Sequence, residues 1–190
     1  MVQLRHALET PRLTLRRFEL DDLDDLALIL ANEEVNRYLY SEPRERVAAV
    51  ELLRGRLDKP EDVAEDNRLN VAVELRDARR VIGDFVLWWT ENEHHQGEIG
   101  GSLHPDFHRR GFAGEVYEEL LALAFTEYGL RRVVGRCDAR NGASIRALEK
   151  VGLRQEAHFV ENEFVKGEWT DEVVMAVRKV DWERRREGAH

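Results

Sequence analysis

Little in this 190-residue chain could cross-link, anchor or interrupt it. Cysteine occurs once, at Cys137, which excludes an internal disulfide framework and any cysteine-built metal site. Proline occurs four times, and no Pro- or Gly-rich linker divides the chain. There are no internal repeats and no low-complexity segments. No apolar run nears the ~20 residues of a membrane span. The opening residues MVQLRHALETPRL lack the apolar core of a secretory leader. A cytosolic protein with no membrane partner is expected. Positive charge is also short: 29 Lys and Arg against 38 Asp and Glu leave a net charge of −9. That balance argues against a nucleic-acid binder driven by bulk charge, and it suits a cationic partner such as an amine.

What is present suffices for one folded unit. Hydrophobic residues make up 43% and charged residues 35%, the balance of a globular chain with one sizeable core. Residues 1–190 read as a single domain, with 181–190 a charged C-terminal tail expected to fray.

The patterning alternates between two periods. RLTLRRF (12–18) alternates as a half-buried strand. DDLDDLALILANEE has Leu23, Leu26 and Leu30 at helical spacing, with acids in the first turn. PRERVAAVELLRGRL (43–57) reads as a second helix with Pro43 near its start. The residues that follow, to about 67, form a loop. RLNVAVEL alternates as a strand, and VIGDFVLWW is apolar enough for a central one. NEHHQG is a turn, and EIGGSL is a strand with two adjacent glycines. In the helix that follows, Val116, Leu120, Leu123, Ala124 and Tyr128 share one stripe, with Gly129 as its cap. LRRVVGRCDA is a strand. NGASIRALEKVG is a short helix between Asn141 as N-cap and Gly152. The rest is a hairpin that turns at Lys166-Gly167. The order β-α-α-β-β-β-α-β-α-β-β implies an α+β domain with a mixed, mostly antiparallel sheet flanked by helices. The strand-helix-strand unit around Gly111 adds a parallel pair by a right-handed crossover.

The segment HRRGFAG (108–114) carries the chemistry. A helix start presents N–H groups without intrahelical partners at a positive dipole end. Gly and Ala there let an anion reach the backbone, and arginine can hold phosphate with two hydrogen bonds. The segment reads as a diphosphate cradle; the bland reading is a helix start with solvated Arg109 and Arg110. Paired Gly100 and Gly101 in the strand before it mark a bulge or a close approach by another group.

Five segments in order resemble the GCN5-related N-acetyltransferase (GNAT) superfamily, and more narrowly its RimJ/RimL-like branch. They are TPRLTLRRFELDDLDDLALI, EEVNRYLYSEP, GEIGGSLHPDFHRRGFAGEV, ARNGASIRALEKVGL and KGEWTDEVVMAV. The family's Gln/Arg-x-x-Gly-x-Gly/Ala motif falls on His108, Arg109, Arg110, Gly111, Phe112 and Ala113, with His108 departing from the usual residue. The resemblance implies a GNAT fold with splayed central strands. It implies transfer of acetyl from acetyl-CoA to an amine, by direct attack in a ternary complex and with no metal. The acceptor it points to first is a protein N-terminal α-amine; a small amine or aminoglycoside, and a non-catalytic acyl-CoA sensor, are the alternatives. Diphosphate contacts are expected from Arg109, Arg110, Gly111, Phe112, Ala113 and Gly114. Pantetheine contacts are expected from Ser102, Leu103, Asn141 and Ser144. A bulge at the glycines would aim an amide at the thioester. Glu98 is the first choice of base, with Asp84 as runner-up, and either could act through water. The family's catalytic tyrosine position falls on Leu148, which leaves Ser144 as the proton donor. Homodimers are frequent in this branch.

Other features read otherwise. Cys137 reads as a buried small hydrophobe. His94-His95 lack partner spacing for a metal. Trp88, Trp89, Tyr38, Tyr40 and Trp169 read as packing or pocket aromatics. A dinucleotide-binding oxidoreductase is disfavoured, because HRRGFAG lacks G-x-G-x-x-G and no βαβ half repeats.

Overall fold

The computed structural model describes residues 6–57, 67–89 and 95–188. The expected loop at 58–66 and His94 lie outside the described residues. Eight strands form one sheet: β1 (Leu8–Glu9), β2 (Leu13–Arg16), β3 (Asn67–Leu75), β4 (Arg80–Trp89), β5 (Gln96–Leu103), β6 (Arg132–Asp138), β7 (Arg154–Val165) and β8 (Glu168–Arg178). Their spatial order is β1-β2-β3-β4-β5-β6-β8-β7. Every neighbouring pair is antiparallel except β5 and β6. The helices are α1 (Leu23–Ala31), α2 (Glu33–Asn36), α3 (Arg46–Leu57), α4 (Phe112–Ala122), α5 (Gly142–Lys150) and α6 (Lys179–Glu187). Among the described residues no helix is long and apolar enough to cross a membrane.

The period-2 pattern puts alternate strand residues into separate clusters. Leu69, Val71 and Val73 of β3 join the main core with Phe85, Leu87, Ile99, Val133 and Met175. That core lies under Phe112, Val116, Leu120 and Leu121 of α4 and Leu148 of α5. On the opposite face Ala72 and Val81 pack with Leu26 and Ile29 of α1, Leu53 of α3 and Phe18. Further along that face, Val134, Val174 and Ala176 form a small cluster of their own.

Several ends form as their residues dictate. The Asn141 side chain caps α5 by accepting from the Ser144 N–H at 3.1 Å. Lys166 and Gly167 take positive φ of 52° and 83° in the β7–β8 turn, the conformation of a tight hairpin. The long helix is not uniform: α4 passes at Leu123–Glu127 into a wider π turn, and the Tyr128 N–H donates to the Leu123 carbonyl at 3.1 Å.

Two expectations are corrected. Residues 181–187 do not fray: they belong to α6, an ordered helix whose Trp182 is buried against Phe125, ring centroids 5.3 Å apart. One large aromatic ring outweighs the polarity of its neighbours. The paired glycines do not bulge either. The register of β4 on β5 runs unbroken from Gly83↔Leu103 to Trp89↔Gly97. Gly101 is there for close approach: a Cβ on it would stand 2.4 Å from the Phe85 ring.

Candidate active site

The parallel pairing of β5 with β6 covers only Gln96↔Arg132, Gly97↔Val133 and Glu98↔Val134. Beyond Glu98 the two strands part, and β5 continues to Leu103 along an opening that β6 does not fill. Backbone direction along this edge follows from the ladder. The His104 N–H donates to the Ile82 carbonyl at 2.8 Å. By the two-residue alternation of an antiparallel pair, the polar groups of Ser102 therefore turn toward β4, and those of Gly101 and Leu103 toward the opening. The Leu103 carbonyl is already engaged there, 2.9 Å from His108 Nε2. Of the two strand residues expected to pair with a pantetheine arm, Leu103 faces the opening through its N–H. Ser102 lies beside it with its backbone directed away, and Gly101 takes its place at the edge.

The HRRGFAG segment closes one end of the opening. Arg109 and Gly111 both hold positive φ, 60° and 81°, and Gly111 is the N-cap of α4. The first-turn amides of Phe112, Ala113 and Gly114 have no intrahelical partner. A Cβ added at Gly114 would meet nothing within 4 Å. A side chain at 114 would stand in that free space, so the site has room for an anion at the helix start. Arg12 braces the turn from behind. Its Nη1 donates to the Arg110 carbonyl at 2.9 Å, its Nε to Glu115 at 2.8 Å, and its guanidinium lies 4.4 Å from the Phe112 ring centroid. Arg109 and Arg110 are exposed.

Under the opening lies α5. Its approach to the sheet is permitted by Gly135, where a Cβ would meet Leu148 at 2.9 Å. Ser144, in the first turn, lies on the side of α5 where its hydroxyl lowers the buried Tyr117 phenol and Cys137 thiol slightly, against the larger effect of burial. Burial pushes the Tyr117 phenol up and the Cys137 thiol up to about 11, so both remain protonated near neutral pH. Cys137 is a buried thiol without thiolate character.

On the other face of the sheet, Glu98 and Gly100 stand on β5 beside Arg136 of β6. Arg136 bridges two carboxylates, Nε to Glu98 at 3.3 Å and Nη1 to Glu172 at 3.0 Å. The Glu98 side chain keeps 21% of its surface and that of Glu172 only 5%, so Glu98 is the carboxylate that can meet a substrate. Glu172 also accepts from the Tyr40 hydroxyl at 3.1 Å. Burial raises the Glu98 carboxyl above its ordinary value. Arg136 opposes that rise, and Glu172 adds to it. Asp84 stands elsewhere, bound at 2.7 Å by Arg56, a half-buried arginine lying over the Phe18 ring. Among the described residues no group of three or more His, Cys, Asp and Glu stands together as metal ligands.

Sequence reasoning missed Arg136 and Glu172, and it named Tyr40 only as a packing or pocket aromatic. One signal was available: Arg136 is a charge in the middle of the apolar strand VVGRC.

The comparisons with known proteins agree with this geometry. Residues 12–154 match the family model described as the acetyltransferase (GNAT) domain. An uncharacterized N-acetyltransferase of Bacillus subtilis, YnaD, is 30% identical over 173 residues, 91% of this chain and 97% of that protein. The spermidine N(1)-acetyltransferase of Vibrio cholerae is 26% identical over 161 residues, 84% of this chain and 89% of that protein. The crystal structure of the Vibrio cholerae spermidine N-acetyltransferase with CoA and spermine superposes with a TM-score of 0.77 at 23% identity, over 92% of this chain and 99% of that one. A GNAT-family acetyltransferase from Bacillus anthracis superposes with a TM-score of 0.81 at 23% identity, over 92% and 99%. With its splayed β5 and β6, its glycine-capped α4 and these relatives, the chain belongs to the GNAT family and is an N-acetyltransferase.

Proposed function

We propose that the chain moves the acetyl group of acetyl-CoA onto a primary amine, in the manner of the RimJ/RimL-like branch, with a protein N-terminal α-amine as acceptor. The observation that carries the reading is the arrangement around one opening. Glu98 stands on one strand bordering it, Ser144 lies beneath, and the start of α4 closes its end. Bound acetyl-CoA supplies the activated acyl group. The amides of 109–114 hold its diphosphate, with Arg109 or Arg110 toward the remaining phosphate. The N–H groups of Gly101 and Leu103 guide its arm, and Asn141 flanks it.

The chain's own residues then have three tasks. Glu98 takes a proton from the incoming ammonium, because only the free amine is a nucleophile. A backbone N–H on β5 donates to the acyl oxygen as charge develops there. The Ser144 hydroxyl donates toward the departing sulfur. Asp84 suits the base role less well, because Arg56 occupies it. An α-amine, with an ordinary pKa of about 7.7–8.0, asks less of such a base than a lysine-like amine near 10.4. The acidic surface fits a basic acceptor. A homodimer is the assembly expected from the branch.

A polyamine acceptor is the second reading. It is favoured by the Vibrio cholerae relative, named a spermidine N(1)-acetyltransferase and crystallised with spermine. Thiol release from acetyl-CoA, measured against peptides beginning Ser, Ala, Met and Asp, against spermidine and spermine, and without acceptor, separates the readings. Peptide-dependent release supports the first, and polyamine-dependent release the second. CoA binding with no release above the control by any acceptor counts against transfer and favours an acyl-CoA sensor.

A further inference from the structure

Glu98 does not stand alone. Three strands and the segment after α2 bring charged and polar groups into its neighbourhood from different parts of the chain. From β6 comes Arg136, with Nε 3.3 Å from Glu98. From β8 comes Glu172, which holds Arg136 Nη1 at 3.0 Å. Tyr40 donates to Glu172 at 3.1 Å, and Asn162 of β7 donates to it at 3.4 Å. On the β4 side the residue opposite Glu98 is Trp88, and Arg68 of β3 lies over that ring, 5.4 Å from its centroid.

The two contacts of Arg136 differ in kind. Glu172 is buried and accepts from three donors, so its position is fixed. Glu98 is more exposed and meets Arg136 at the longer distance. Arg136 is thus tied at one end to an anchor and leans on Glu98 with the other. A cation within 4–6 Å stabilises the ionised form of a carboxyl, and a second carboxylate destabilises it. The two groups pull Glu98 in opposite directions, and the geometry gives each a separate handle.

We propose that Arg136, anchored by Glu172 and Tyr40, is a positioning residue that sets how readily Glu98 takes a proton from the acceptor. The proposal rests on Glu98 being the base. In the empty site Arg136 keeps Glu98 ionised and ready. When an ammonium arrives, Arg136 still has Glu172 as counter-ion and can leave Glu98 to the substrate. Lone Glu98, partly buried, would be neutral over more of the pH range and would offer no base there. The sum of Glu98, Glu172 and Arg136 is one negative charge, which one ammonium neutralises. Acceptors presenting a single cation at the reacting end fit this site.

The test is the titration of Glu98 followed by carbon-13 NMR of the side-chain carboxyl in the full chain with CoA bound. The resonance is assigned by its loss in Glu98→Gln. Arg136→Gln removes the neighbouring cation, and the Glu98 midpoint is expected to rise by about one pH unit. Glu172→Gln removes the like charge and frees Arg136 for Glu98, and the midpoint is expected to fall. Arg136→Lys gives a midpoint between wild type and Arg136→Gln, and it keeps the test open if the glutamine variant does not fold. Shifts of the same sign in Arg136→Gln and Glu172→Gln, or no shift in either, overturn the proposal. Thiol release by Glu98→Gln, with a Ser-initiated peptide and with spermine, reports separately on the base. Full release there overturns the base reading, and with it the catalytic meaning of Arg136, whatever the midpoints do.

Discussion

The ring of Phe85 fills the place where a side chain on Gly101 would stand. A Cβ at 101 would lie 2.4 Å from the ring and 2.8 Å from the Asp84 carbonyl oxygen. Phe85 sits directly opposite Gly101 on β4, and its ring meets Tyr117 edge-on at 5.3 Å. Tyr117 is itself fully inside the main core, on the face that α5 covers. The glycine therefore bears on the packing of the core beneath β5. Gly101→Ala should cost about 1–3 kcal/mol, the range for overpacking a filled core. Gly100→Ala meets only Val86, at 4.0 Å, and should change stability little. Urea denaturation of the two variants makes the comparison; equal losses would speak against the assignment.

Gly114 gives the opposite case, a glycine with empty space before it. The Cβ of Gly114→Leu meets no atom within 4 Å, and the change removes a helix glycine, so the fold should hold or gain stability. The same side chain would occupy the space given to the diphosphate. Calorimetric titration should show CoA affinity at least about tenfold weaker, a loss of roughly 1.4 kcal/mol. Unchanged affinity would remove the helix start from the CoA site.

Arg12 and Glu115 fasten β2 to the start of α4, with Thr10 as a second partner on Glu115. Burial alone would raise the Glu115 carboxyl. The hydrogen bonds from Thr10 and Arg12 more than offset this and hold it below its ordinary value of 4.5. A carboxyl lowered in the folded state lends stability above its unfolded pKa and loses it as pH falls through the folded one. Wild-type stability should therefore decline more steeply than that of Glu115→Gln between about pH 5 and pH 3. Parallel curves from denaturant melts across that range would contradict the assignment. Arg12→Ala should also weaken CoA binding without touching CoA, because Arg12 holds the Arg110 carbonyl.

Trp182 makes α6 part of the core. Trp182→Ala should cost about 3–5 kcal/mol by leaving a large cavity. Its indole N–H is buried without a partner, so Trp182→Phe loses volume but also removes an unsatisfied donor and should cost less than half as much. A fall in melting temperature as large for Phe as for Ala would argue that the N–H, not the ring volume, matters.

Much of this was readable where a residue's own backbone preference decides. The Asn141 cap, the Lys166-Gly167 turn and the glycine start of α4 depend on neighbours in sequence, and each forms as its residues require. The splay of β5 from β6 came only with the family resemblance, because no local pattern says where two strands stop pairing. Gly100 and Gly101 told that something comes close, but not that it is the Phe85 ring on the next strand. Trp182 was hidden among charges, in a segment whose polarity describes its outer face only. The Glu98–Arg136–Glu172–Tyr40 network joins residues 132 positions apart; sheet register brings β5, β6 and β8 together, and only the tertiary fold adds Tyr40 from the segment after α2.

The most direct test of the account is the turnover of Glu98→Gln beside its affinity for CoA. With whichever of the Ser-initiated peptide and spermine the wild type acetylates, kcat/KM should fall about a hundredfold or more, the range for loss of a general base. The dissociation constant for CoA should stay within about twofold. A variant that keeps wild-type turnover would show that the amine loses its proton elsewhere, and the site built around Glu98 would not be the catalytic one.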